Sequence, residues 1–153
     1  MTPQPARRRV RLRRQSRRHV KPIATIHDGL NYPFGVALDR VGNLYVANFK
    51  GCDITVYAAR TSKLIRTITS AGSIGLCYVD GIALDGAGNT YVVDTNYSEH
   101  DTGSYPGFIL VFGPGANGRV FPIRGIAGPL TKLTAPYGVA VNSRRRDFRY
   151  QLC

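Results

Sequence analysis

One segment concentrates the side chains that chemistry needs. Between Asp94 and Gly107 the chain gathers Asp94, Asn96, Glu99, His100 and Asp101. Oxygen-rich loops of this kind hold Ca²⁺, and a histidine among carboxylates holds Zn²⁺. The spacing matches no established cage, being neither an EF-hand loop nor a His-x-x-x-His pair. A polar, solvated loop is the plainer expectation, with no resident cofactor and with Ca²⁺ or Zn²⁺ as the metals it would accept. Asn48 opens the matching but shorter segment Asn48–Asp53, and the later segment is about eight residues longer. Long loops in compact domains are where function concentrates.

Other chemistry is hard to find. The chain has no Gly-x-Ser-x-Gly elbow, no phosphate-cradling glycine loop and no nucleophile spaced to meet a base. His19 and His27 stand alone and read as surface residues. Cys52, Cys77 and Cys153 fit no zinc or Cys-x-x-Cys spacing. A Cys52–Cys77 disulfide is geometrically allowed if the chain is exported, because both fall in loops expected on one face. Without a visible export signal, free thiols are the expected state. These observations favour a protein that is not an enzyme.

The elements that would position these residues are written twice and begun a third time. Gly35-Val-Ala-Leu-Asp39, then Gly42-Asn43-Leu-Tyr45-Val-Ala-Asn48, recurs as Gly81-Ile-Ala-Leu-Asp85, then Gly88-Asn89-Thr-Tyr91-Val-Val-Asp94. The third start is Gly138-Val-Ala-Val-Asn142. A period near 50 residues signals stacked supersecondary units. Each copy predicts a short apolar strand, a tight turn and a β-rich strand returning. Asp39 and Asp85 recur once per copy, so they are expected to shape the turn rather than form a catalytic pair, with Gly42 and Gly88 supplying positive φ. Tyr45 and Tyr91 are expected to pack between units. Ile54–Tyr57 and Ile109–Phe112 predict a third strand. Leu64–Ile68 and Phe121–Ile126 predict a fourth, with Pro22–Ile26 as an earlier copy of it. Four meandering strands per unit, with no helical periodicity, predict an all-β, propeller-type array.

Pro-x-Gly-Val-Ala-Leu-Asp-x-x-Gly-Asn-Leu-Tyr-Val-Ala-Asn, followed by Ile-Thr-Val-Tyr, resembles the NHL-type β-propeller repeat, especially that of bacterial secreted repeat proteins. The resemblance spans residues 22–142 and implies an incomplete propeller: two full four-stranded antiparallel blades with partial blades on either side. Such propellers serve as binding modules, lactone hydrolases and lyases alike, so the resemblance constrains architecture more than activity. It implies a non-catalytic segment presenting loops to a protein or small ligand. The alternative it raises is a piece of a metal-dependent hydrolase similar to sugar lactonases, with Asn48, Asp94 and Asn96 at the strand ends where such enzymes place their ligands. The family also implies a secreted or cell-envelope location. Two and a half blades leave an edge strand open at each end, and open edges invite pairing with other chains. The expectation is therefore a piece of a larger propeller, or copies that assemble to complete one.

Charge belongs to the ends. The net charge is +12, yet residues 22–143 carry equal numbers of acidic and basic side chains. The excess lies in an arginine-rich arm at residues 1–21 and a basic tail at residues 143–153. The arm could attract RNA, DNA or anionic lipid, giving a third alternative, a nucleic-acid-binding propeller. It lacks aromatic residues for base stacking and any folded recognition motif, and the abrupt change at Pro22 also fits an upstream start or misread frame. Basic residues interrupt every apolar position of the arm, so no secretory signal is visible. No apolar stretch approaches the ~20 residues of a membrane helix. The tail puts arginines where the repeat needs a turn glycine, so residues 148–152 are not expected to form a packed strand.

Overall fold

The computed structural model describes residues 21–72, 75–95 and 106–142. Among them the architecture is all-β, with one 3-10 turn at Pro129–Thr131 and no α-helix. No helix there is long and apolar enough to cross a membrane.

Among the described residues nine strands form two sheets. They are β1 (Pro33–Leu38), β2 (Leu44–Asn48), β3 (Asp53–Tyr57), β4 (Leu64–Ser70), β5 (Val79–Leu84), β6 (Thr90–Asp94), β7 (Phe108–Phe112), β8 (Gly118–Val120) and β9 (Arg124–Ile126). The first sheet runs β1-β2-β3-β4-β8 and the second β5-β6-β7-β9. Neighbours within the repeats pair antiparallel in the same register: Ala37 opposes Tyr45 as Ala83 opposes Tyr91. Each first strand also carries an irregularity at the same place, Pro33/Gly35 and Val79/Gly81.

The turns form for the reason the residues suggest. Asp39 Oδ1 accepts from the backbone N–H of Val41 (3.0 Å) and Asn43 (2.8 Å), and Oδ2 accepts from Asn43 Nδ2 at 2.8 Å. Asp85 does the same with Ala87, Asn89 and Asn89 Nδ2 at 2.8, 2.9 and 2.7 Å. Gly42 and Gly88 both sit at φ 87°, in the left-handed region where a Cβ is unfavourable. Tyr45 and Tyr91 are buried. Tyr45 lies in the core between the sheets, and its hydroxyl accepts from Arg66 Nη2 at 2.6 Å.

One apolar core joins the sheets. Tyr45, Ala47, Ile54, Val56 and Ile68 of the first meet Val79, Ile82, Val92, Leu110 and Phe112 of the second. A smaller cluster sets Val93 and Ile109 against Leu133 and Val139, so the third repeat start lies on the second sheet as β5 lies on the first. Three non-glycine residues at equivalent joints take positive φ: Tyr32 (52°), Tyr78 (74°) and Ala135 (43°). For the tyrosines the strain is held by a backbone bond. Phe49 N donates to Tyr32 O at 2.9 Å, and Thr95 N donates to Tyr78 O at 3.3 Å.

Four sequence expectations need correction. The first sheet has five strands, because β8 adds parallel to β4, with Ile68 opposite Gly118 and Ser70 opposite Val120. The β4 edge is thereby covered over Ile68–Ser70, and β8 becomes the end strand of that sheet. The predicted fourth strand of the second copy shortens to Arg124–Ile126, since Pro122 offers no N–H to a ladder and the residues before it turn away to β4. Pro22–Ile26 is not a strand; no described strand pairs with it and Ile23 is fully exposed. Gly138–Asn142 likewise packs without joining a ladder. The arm, apart from Lys21, and the tail beyond Asn142 lie outside the described residues.

Candidate binding rim

The β2–β3 loop, the approach to β5 and the end of β6 meet at one rim. Tyr78 N donates to Phe49 O at 3.1 Å, tying the two repeats together there. Cys52 and Cys77 are joined in a disulfide, with Cα atoms 4.1 Å apart. The expectation of free thiols is corrected: that backbone bond brings the two loops close enough for the bridge.

An aromatic row runs along this rim. The Phe34 and Phe49 rings lie 5.1 Å apart, tilted by 33°, and Phe49 meets Tyr78 edge-on at 5.1 Å. Lys50 Nζ stands 4.5 Å above the Tyr32 ring. Tyr32 and Phe34 are 60% and 61% exposed. Stacked rings with a cation at their margin offer flat apolar contact beside a positive charge, the surface chemistry that anchors many interfaces. The sequence carries only a loose signal for this row: an aromatic residue lies within three positions before each repeat glycine, at Phe34, Tyr78 and Tyr137.

Of the residues singled out for ligand or metal binding, only Asn48 and Asp94 fall among the described ones; Asn96, Glu99, His100 and Asp101 lie outside. Asn48 is fully buried and engaged by the fold. Its Oδ1 accepts from Asn31 N at 3.1 Å, and its Nδ2 reaches Asp53 Oδ1, Thr55 Oγ1 and Gly29 O at 2.7, 3.1 and 3.2 Å. It pins the entering segment to the first sheet, which leaves it no free polar atom for a ligand. Asp94, at the equivalent strand end, is also fully buried. Among the described residues no three His, Cys, Asp or Glu side chains are grouped to hold a metal ion.

The carboxylates divide by environment. Burial alone would raise the Asp39 and Asp85 carboxyls above the usual value of 3.8, but the hydrogen bonds of their turns outweigh it and hold both below. For Asp85 these donors include the Tyr91 hydroxyl at 3.2 Å. Burial pushes Asp53 and Asp80 up, opposed only by single side-chain bonds from Asn48 and Thr95. Asp80, 5% exposed, keeps one oxygen, Oδ2, without a hydrogen-bond partner among the described residues.

At the opposite end, a cleft of about 260 Å³ is lined by equivalent residues of the three repeat copies: Leu38, Leu84 and Val141, with Asp39, Asp85 and Asn142. Arg40 crosses it and closes over Gly86. The turn bonds already engage Asp39 and Asp85, the two carboxylates that line the cleft.

No protein-family model and no curated protein matches this chain.

Proposed function

We propose that the chain is a non-catalytic propeller-type repeat segment that binds a protein or small ligand through its loop rim. The observation that carries this reading is the Phe34–Phe49–Tyr78 row with Lys50 at its margin, where Cys52–Cys77 joins the segments that carry Phe49 and Tyr78. The matched registers of the two meanders and the repeated turns support the propeller part. The disulfide agrees with the secreted or envelope location that the resemblance implies.

A peptide partner with an apolar or aromatic anchor and an acidic neighbour fits the row best. The rings supply contact area and Lys50 supplies the opposite charge. The lactonase-like alternative has less support, because Asn48 is engaged on all sides by the fold.

Panning a displayed peptide library on the whole protein tests the reading. Enriched peptides should carry aromatic and acidic residues and should lose at least tenfold in affinity for the Phe34→Ala variant. Peptides that bind wild type and variant equally, or no enrichment at all, would sink it.

A further inference from the structure

The aromatic row crosses from one repeat to the next. Phe34 and Phe49 belong to the first, and Tyr78 leads into β5 of the second. Tyr78 N donates to Phe49 O, and the neighbouring Cys77 is bonded to Cys52. The sheets do not depend on that bridge to stay together, because the apolar core already joins them. The joint does not depend on it either. Tyr32 takes the same left-handed backbone at the equivalent joint with no cysteine beside it. What the bridge adds is a tie across the rim, between the segments that carry Phe49 and Tyr78.

The tie is open to chemistry. Cys77 is exposed and Cys52 half-buried, so a dissolved thiol can reach the bond. Leu76 and Val79, on either side of Cys77 and Tyr78, are buried in the core and stay anchored when the bond opens. The motion is therefore confined to Cys77 and Tyr78, the residues that place the last ring of the row.

We infer that Cys52–Cys77 is a redox latch on the aromatic row: oxidised, it holds Tyr78 against Phe49; reduced, it releases that ring and weakens what the rim binds. The inference rests on the reading of the rim as a binding surface. The reductant is a dithiol, either a small molecule or the active pair of a thiol–disulfide exchange protein. One of its thiolates attacks Cys77 Sγ, and Cys52 leaves as a thiolate and takes up a proton. The second thiol of the reductant then resolves the mixed disulfide. Cys77 is freed as a thiol and the reductant departs as a disulfide, two electrons having passed to the protein. A row held assembled binds without first being ordered, and an open latch puts that cost back.

Fluorescence anisotropy with a labelled peptide of alternating tryptophan and glutamate tests it on the full chain. A Cys153→Ser background removes the third thiol. Dithiothreitol should weaken binding about three- to tenfold, the worth of one aromatic pair, and oxidised glutathione should restore it. In the same background, Cys52→Ser/Cys77→Ser should bind like the reduced protein and ignore the reductant. Nuclear Overhauser contacts between the Phe49 and Tyr78 rings should fade on reduction, while the far-ultraviolet circular dichroism spectrum stays unchanged. Phe34→Ala separates the two readings. If it weakens binding but oxidised and reduced protein bind equally, the rim reading stands and the latch is overturned. If the peptide does not bind, or binds Phe34→Ala as well as wild type, the rim reading fails and the latch falls with it. Ring contacts that persist after reduction, or a circular dichroism spectrum that collapses, would overturn the latch whatever the peptide does.

Discussion

Asp39 and Asp85 each gather three hydrogen bonds into a turn of five residues, and this is the most repeated chemistry in the chain. Replacing Asp85 with Ala should lower unfolding free energy by about 1–2 kcal/mol, in the range of lost side-chain caps and charged hydrogen bonds. Urea denaturation at neutral pH would check it. Both carboxyls have folded pKa values below 3.8. Their contribution is therefore fully present above that value and lost as pH falls through the folded pKa. The acid limb of the stability curve should flatten in an Asp39→Asn/Asp85→Asn protein. Asp80 has the opposite sign. Its folded pKa is raised, so stability falls as pH rises from 3.8 toward that pKa. Asp80→Asn, which removes a buried charge, should raise the urea midpoint at pH 7 and leave it unchanged at pH 3. The turn aspartates were legible in the sequence because their partners lie within four residues. Asp80 was not, because its burial depends on the Thr95 strand end and on the first sheet, and neither is local.

Strand existence was legible for the same local reason, since β1–β3 and β5–β7 are apolar runs bounded by Asp, Gly and Asn turns. Two elements departed from that pattern. Pro22–Ile26 has strand-forming residues but no neighbouring strand among the described residues to pair with, and a strand alone leaves its backbone groups unmet. β8 joins the first sheet because the β4 edge offers a free ladder, a condition invisible in residues 118–120 themselves. Ala71 N donates to Val120 O at 2.8 Å, and Thr67 N donates to Asn117 Oδ1 at 3.3 Å, so the clasp is held at both ends. The Cys52–Cys77 bridge closes a separation of 25 residues. In the chain-entropy account it stabilises by about 3 kcal/mol. Reduction should lower the urea midpoint accordingly, whereas in a Cys77→Ser protein the reductant should have no effect. Equal sensitivity of both proteins to reductant would contradict the bridge.

At the scale of the molecule, the shared core makes the two sheets one cooperative body, and the repeat glycines set how closely they approach. Gly81 and Gly138 occupy the same place in the sequence pattern and opposite situations in space. A methyl group at Gly81 would run into backbone at Gly138 and Tyr137, and backbone cannot rotate aside as a side chain can. The third start would have to lift from the second sheet, opening the cluster of Val93, Ile109, Leu133 and Val139. Gly81→Ala should therefore cost about 1–3 kcal/mol, the usual range for overpacking. Gly138→Ala should leave monomer stability within about 0.5 kcal/mol of wild type, as surface substitutions do. Because both sheets share one core, the Gly81 variant should still unfold in a single transition. Far-UV circular dichroism should coincide with hydrogen exchange at the amides of β2 and β6. If β6 opened at lower urea than β2, the sheets would be separate folding units and their common core would not govern stability.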